Sequence, residues 1–277
     1  MKSVASSSLR GDYSQADAHF VLAQQWSAYS PEQHILWCRL YARQAQLLPG
    51  RACVEFIDSL QRLDIAHAIP NFDHVSVALM RATGWMLVAV PGLIPDKIFF
   101  EHLAHRRFPV TVWLRESAEF DYIVEPDLFH DFFGHVPLLF DPVFADHLQA
   151  YGKGALKALP LGGLTQLARL YWYTIEFGLL RTPVGMRAYG AGLMSSGGEL
   201  DYCVNSATPH RIRFNVERIM RTDYNIDAYQ QTYFVIDDFA QLFIETAPDF
   251  TPIYARLNDL PVLSSDTLLP EEIDPTP

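Results

Sequence analysis

Two histidines five positions apart, His130 and His135 in the run His130-Asp131-Phe132-Phe133-Gly134-His135, constrain this chain more than any other pair of its residues. The segment around them is aromatic and apolar, which is the composition of a buried helix. On a regular α-helix, with about 3.6 residues per turn, positions five apart lie about 140° from each other. The two imidazoles therefore meet at one point only if the helix ends or distorts between them. Gly134 sits where that break is needed, and local unwinding at functional sites has precedent. The zinc-protease pattern, with histidines four apart and a glutamate beside the first, does not occur here. The plainer alternative is a pair of helix-end histidines satisfied by backbone carbonyls.

Glu176 weighs against that alternative. It lies in Tyr171-Trp172-Tyr173-Thr174-Ile175-Glu176-Phe177-Gly178, and its helical neighbours are Trp172, Tyr173, Leu179 and Leu180. An ionised carboxylate in such a setting costs on the order of several kcal/mol unless it is paired or bound to a metal. Leu167, Leu170, Ile175 and Phe177 leave little wet face on which it could be solvated. Two imidazoles and one carboxylate hold a metal by one face and leave the opposite positions open, as in non-haem Fe(II) oxygenases. Two His and one Glu also bind catalytic zinc. A zinc hydrolase, or a non-catalytic helical protein with a closed structural metal, stays open on these residues alone.

At 277 residues the chain is long enough to bury a large core unaided. No long linker, repeat or low-complexity stretch divides it, so a single domain is expected. We read residues 1–29 as an N-terminal extension, 30–256 as the catalytic domain and 257–277 as an acidic, flexible, proline-bearing tail. A formal charge of −11 argues against nucleic acid, which needs a basic face. No stretch reaches the ~18 apolar residues of a membrane span, and the polar start from Met1 has no apolar signal core. Cys38, Cys53 and Cys203 are too scattered for a disulfide framework. A reducing cytoplasm is the expected compartment.

Helical patterns dominate. Ser30-Pro31-Glu32-Gln33 opens a helix to Leu48 with a capping box and a proline in its first turn. Further helices are expected over Cys53–Leu63, around Val75–Ala82, from near Pro95, through the His130 motif, over Pro142–Tyr151 and as one long helix over Leu164–Leu180. Asp238 caps another towards Ala247. Short strands are expected over Trp85–Val90, Val110–Arg115 and Thr232–Ile236. The fold class is mainly α with a few short β-strands. That separates it from the 2-oxoglutarate oxygenases, which set a similar ligand trio on a β jelly roll.

Several segments together make the chain resemble the pterin-dependent aromatic amino acid hydroxylases, most closely their bacterial, phenylalanine-hydroxylating branch. They are Val90-Pro91-Gly92-Leu93-Ile94-Pro95, Glu125-Pro126-Asp127, the run from His130 to Pro137, Tyr171 to Gly178, Ala188 to Ser196 and Gly198-Glu199-Leu200. The resemblance covers about Leu47 to Phe250. It implies a single helical catalytic domain that converts L-phenylalanine, O₂ and a tetrahydropterin to L-tyrosine and a 4a-hydroxypterin at Fe(II).

The same resemblance implies that His130, His135 and Glu176 are the iron ligands. It places the pterin against Phe99, Asp131 and the backbone of Gly92, Leu93 and Ile94. Phe99 would otherwise read as an ordinary core aromatic. Arg115 is implied as the clamp for the substrate carboxylate, where its position alone suggests a surface salt bridge. Pro126, Trp172 and Phe177 are implied as walls for the substrate ring, and Ser195 as a hydroxyl orienting His130 and the bound amino acid. Asp127, Asp131 and Tyr171 resemble groups that order water near iron and pterin. Ile123 stands where some relatives carry a hydroxyl residue. Ile226 stands where tyrosine-using relatives carry an acid, which points to phenylalanine as substrate. A monomer or dimer is expected, in contrast to the tetramer of animal relatives.

Overall fold

The structure, a computed structural model, describes residues 9–247 and 249–272. Asp274, Pro275 and Pro277 of the expected tail, and residues 1–8 of the polar start, lie outside the described residues. The chain opens with two short turns and then α1 (Pro31–Leu47), α2 (Val54–Gln61) and α3 (Phe72–Ala82). A β-α-β unit follows, made of β1 (Met86–Val90), α4 (Asp96–Ala104) and β2 (Arg107–Thr111). Its two strands pair in parallel, Met86 opposite Arg107 and Val90 opposite Thr111. After a π-helical turn at His130–His135 come α5 (Pro142–Ala158), α6 (Leu164–Tyr171) and a second π-helical turn at Trp172–Glu176. The remainder is β3 (Leu179–Thr182), β4 (Gly185–Ala188), α7 (Ala191–Ser195), α8 (Glu199–Asn205), β5 (His210–Arg213), α9 (Val216–Arg221), β6 (Thr232–Ile236), α10 (Phe239–Thr246) and α11 (Thr251–Leu257). The last four strands form one sheet in the order β4-β3-β6-β5.

Helices dominate, as the sequence pattern implies. The capping box of α1 forms in full: the Ser30 hydroxyl accepts from Gln33 N at 3.3 Å, and the Gln33 side chain accepts from Ser30 N at 2.8 Å. Asp238 caps α10 through Gln241 N, and β6 spans the expected residues with every side chain buried.

The core is built around the His130 segment. Phe129, Phe132 and Phe133 are fully buried. Phe129 and Phe133 stack at 4.8 Å, and Trp37 of α1 meets Phe129 and Phe132 edge-on. Burying each phenylalanine is worth roughly 1.5–3 kcal/mol. That fixes the helix face: any rotation that hid the histidines would expose these rings. The imidazoles are left on the side away from the core.

The structure departs from the sequence expectations in three places. The distortion between the histidines is a π-helical turn over all of His130–His135, not a break at Gly134. Gly134 instead lets α7 approach, since a Cβ there would lie 2.7 Å from Ala191 O. The long helix expected to Leu180 stops at Glu176. Leu179 and Leu180 pair with Val235 and Ile236 of β6, and a short apolar run reads equally well as helix or strand. The strand expected to reach Arg115 ends at Thr111, because its partner β1 turns away at Pro91-Gly92.

The described part of the C-terminal tail is more integrated than expected, and the described N-terminal segment is bonded to the β-α-β unit. Leu22 N donates to Ala89 O at 3.0 Å and Tyr29 Oη to Val112 O at 2.6 Å, which straps the N-terminal segment across β1 and β2. The tail expected to be flexible is docked as far as Glu272. Leu263 exchanges hydrogen bonds with Arg221 O and Asp223 N, and Glu272 pairs with the buried Arg218.

The contact of Gly134 with α7 yields a prediction. Gly134→Ala should destabilise the fold by about 1–3 kcal/mol through overpacking, read as a lower midpoint in urea unfolding. An unchanged midpoint would show that α7 gives way freely.

Candidate metal centre

The π-helical turn solves the spacing problem set by the sequence. Widening the helix to i→i+5 hydrogen bonding brings residues five apart onto one face, and the His130 and His135 rings come within 5.2 Å. A second π turn presents Glu176. It ends in a bond from Phe177 N to Trp172 O at 2.9 Å, five residues back, and the chain then leaves as β3.

Glu176 Oε1 lies 3.2 Å from His135 Nε2, and Oε2 lies 3.6 Å from His130 Nε2. The three ligand atoms fall within 4.8 Å of one another, the one such group among the described residues. Ligands about 2.1 Å from an ion and at right angles would lie ~3 Å apart, so the spacing suits a facial site. The side chains of Glu176 and His130 are 12% and 16% exposed, which leaves the far side of the face open.

The electrostatics agree with metal binding. Burial drives the His130 imidazole below its ordinary range, so it is held neutral. Burial pushes the Glu176 carboxyl up, but His135 and His130 outweigh it and leave the group below the usual carboxylate range. A metal takes an ionised carboxylate and neutral imidazoles, and the shifts of Glu176 and His130 both run in that direction. Ser195 Oγ lies 2.9 Å from His130 Nδ1 and donates to Ala191 O at 2.9 Å. That contact fixes the ring so that Nε2 faces the site.

Asp127 has a different place from the one the resemblance implied. It is fully buried, and four donors occupy its carboxylate. Arg115 contributes its backbone N (2.9 Å), Nε (2.9 Å) and Nη2 (2.8 Å), and His130 contributes its backbone N (3.0 Å). No capacity remains to order water. Arg115 is itself buried rather than a surface salt bridge, and among the described residues its Nη1 takes no protein acceptor. Asp131 accepts from Thr111 N at 2.9 Å, and burial raises its carboxyl above the ordinary range.

The other predicted residues fall into two groups around this face. Phe99 is half-buried and meets Tyr171 edge-on at 5.9 Å, and Tyr171 lies 6.5 Å from the His135 ring. Nearby, Gly92 has a φ of +154°, where a Cβ would come within 2.9 Å of Tyr13 Oη and 3.2 Å of Glu125 Oε1. Tyr13 Oη donates to Leu93 O at 3.0 Å, while Glu125 Oε1 is buried with no partner. A half-buried aromatic face beside a tight glycine turn and an orphaned acceptor suits a flat heterocycle with a polar edge. On the other side, Trp172 packs on Phe177 at 4.6 Å and stacks on Tyr224 at 4.4 Å. Pro126 and Ile123 are partly buried, and Ile226 is exposed on the 225–229 loop.

Sequence reasoning missed several neighbours of the site. Tyr13 and Arg10 come from the N-terminal segment, where no local pattern marks them. Tyr224 and Gln230 reach Trp172 from an irregular loop. Glu199 lay within a quoted motif, but its buried partners are distant in sequence.

A family model described as biopterin-dependent aromatic amino acid hydroxylase matches residues 15–250. The chain is 58% identical over 255 residues to the phenylalanine-4-hydroxylase of Chromobacterium violaceum, covering 92% of this chain and 86% of that protein. It is also 58% identical over 247 residues to the phenylalanine-4-hydroxylase of Ralstonia nicotianae, covering 89% and 79%. The iron- and phenylalanine-bound crystal structure of phenylalanine hydroxylase from C. violaceum matches with a TM-score of 0.90 at 57% identity, covering 94% of this chain and 95% of that one. The sequence match runs through the ligand-bearing turns and the elements that hold them, and the chain belongs to the biopterin-dependent aromatic amino acid hydroxylases.

Proposed function

We propose that this chain is a phenylalanine 4-monooxygenase, converting L-phenylalanine, O₂ and a tetrahydropterin to L-tyrosine and a 4a-hydroxypterin. The observation that carries this reading is the convergence of the His130, His135 and Glu176 ligand atoms within 4.8 Å of one another, with Trp172, on the same segment as Glu176, packed on Phe177 and Tyr224. Relatives named phenylalanine-4-hydroxylase at 58% identity support it, and nothing supports a zinc hydrolase or a closed structural metal.

Iron(II) held there supplies a spin state that lets triplet oxygen react, while the tetrahydropterin supplies two electrons. The protein positions the partners and excludes water. His130, His135 and Glu176 hold the metal by one face, with Ser195 keeping the His130 ring in register. The Nη1 group of Arg115 donates to the substrate carboxylate, and the bonds from Nε and Nη2 to Asp127 keep the guanidinium in place beforehand. Trp172, Phe177 and Pro126 confine the phenyl ring. Phe99 supports the pterin ring, and Gly92, Leu93 and Ile94 offer backbone groups to its polar edge, with Asp131 nearby and Tyr171 behind Phe99. No helix among the described residues is long and apolar enough to cross a membrane. The three cysteines are free thiols, which supports a reducing cytoplasm.

The direct test is anaerobic loading with Fe(II), followed by oxygen uptake and tyrosine formation with phenylalanine and a tetrahydropterin. Replacing His130, His135 or Glu176 by Ala should abolish tight iron binding and turnover while circular dichroism stays native. Full hydroxylation by such a variant in chelator-treated buffer would sink the ligand assignment.

Phe99→Ala should raise the apparent pterin KM severalfold, because aromatic stacking is worth about 0.5–1.5 kcal/mol beyond burial. Unchanged pterin kinetics with lowered stability would make Phe99 a core residue only.

In competition at equal concentrations, phenylalanine should be hydroxylated in preference to tyrosine by about one to two orders of magnitude, since a buried phenol without a partner loses about 1–3 kcal/mol. Apolar Ile226 gives that phenol no partner, and Trp172 should crowd an indole more than a phenyl ring. Faster turnover of tyrosine or tryptophan would overturn the assignment of phenylalanine but not of iron and pterin.

A further inference from the structure

Glu199, the first residue of α8, is a carboxylate buried to 6% exposure, and among the described residues no cation pairs with it. Burial pushes its carboxyl up to about 7. A buried acid without a cation is costly unless its oxygens are used. Here Oε1 accepts from Gln230 N at 2.8 Å and from Tyr233 Oη at 2.7 Å. Tyr233 belongs to the central strand β6, so the carboxylate pins Gln230 to the rigid sheet.

Gln230 is also buried, and its side chain is fully committed. Its Nε2 donates to Asn225 O (3.0 Å) and Ala228 O (3.2 Å), which closes the exposed 225–229 loop on itself. Its Oε1 accepts from the indole Nε1 of Trp172 at 2.9 Å. The indole is thereby gripped at its edge by Gln230 and on its faces by Tyr224 and Phe177. Trp172 lies four residues before the ligand Glu176 in the same π-helical segment.

We propose that Glu199 is a positioning residue for the aromatic pocket, fixing the tilt of the Trp172 indole through Gln230 and so setting which substrate ring the pocket admits. This rests on the phenylalanine reading above. Glu199 touches neither the metal face nor the substrate walls directly, and it transmits only the placement of one side-chain amide. A carboxylate suits the task because one acceptor-only oxygen receives two donors from different elements. Gln at this position would keep that oxygen; Leu would strand both donors.

The test compares Glu199→Gln, Glu199→Leu and Gln230→Leu by steady-state kinetics and by ¹⁹F spectra of protein labelled with 5-fluorotryptophan. The Trp172 resonance is assigned by its loss in Trp172→Phe. The two Leu variants should raise the phenylalanine KM roughly tenfold, the scale of one lost hydrogen bond. The pterin KM should stay constant, discrimination against tryptophan should weaken, and the Trp172 resonance should move. Glu199→Gln, which keeps the acceptor, should stay within about twofold of wild type. Should Glu199→Leu fail to fold, Gln230→Leu carries the same prediction with the acid intact. An unmoved Trp172 resonance, or a parallel rise of both KM values in step with lost stability, would reduce Glu199 to a structural residue. The ¹⁹F readout needs no turnover, so a wild-type chain without phenylalanine hydroxylation would sink the functional reading separately.

Discussion

A helical turn widened by one residue between His130 and His135 is the constraint on which the rest of the site depends. Regular helix geometry would send the two imidazoles in different directions. The π turn brings them together, and three buried phenylalanines keep the widened segment from rotating. The same device recurs at Trp172–Glu176, where the extra residue ends the helix and turns the carboxylate towards the histidines. π turns are uncommon and cluster at functional sites. Two of them converging on one point is a stronger statement than either alone.

Asp127 ties this ligand geometry to Arg115, the residue proposed to receive the substrate carboxylate. Its carboxylate holds the start of the His130 segment through a backbone N–H and holds Arg115 through a bidentate pair. The ligand helix and the guanidinium thus share one anchor, and moving either disturbs the other. Ser195 provides a similar link from α7, which lies against the ligand helix because Gly134 leaves room for it. The ligands sit on packed elements, and Trp172 shares one of them with Glu176.

The parts legible in the sequence were those encoded locally. The caps at Ser30 and Asp238, the buried strand at Thr232–Ile236 and the ligand trio all follow from spacing and neighbours. The conflict between a five-residue spacing and a regular helix was itself visible, although its resolution as a π turn was not, because that depends on packing from α1 and α7. The end of the long helix after Glu176 was hidden because Leu179-Leu180 suits a helix as well as a strand, and only pairing with β6 decides. The contacts of Tyr13, Tyr224 and Gln230 join residues far apart in sequence. No periodicity reports such contacts. Phe99 and Arg115 became readable only through family resemblance, since a lone aromatic or a lone arginine has many plainer uses.

Charge pairing explains why the cleft can stand without substrate. A buried guanidinium left unpaired would be strongly destabilising, but Arg115 carries its own counter-charge in Asp127. Under the proposed function, the incoming carboxylate meets an oriented donor edge, not a bare cation, and does not have to neutralise the site. Binding then draws on direction as much as on charge. That places the burden of selectivity on the aromatic walls, where Trp172 is held from three sides. A pocket that recognises the amino acid backbone through one preorganised arginine needs a rigid opposite wall to distinguish one ring from another.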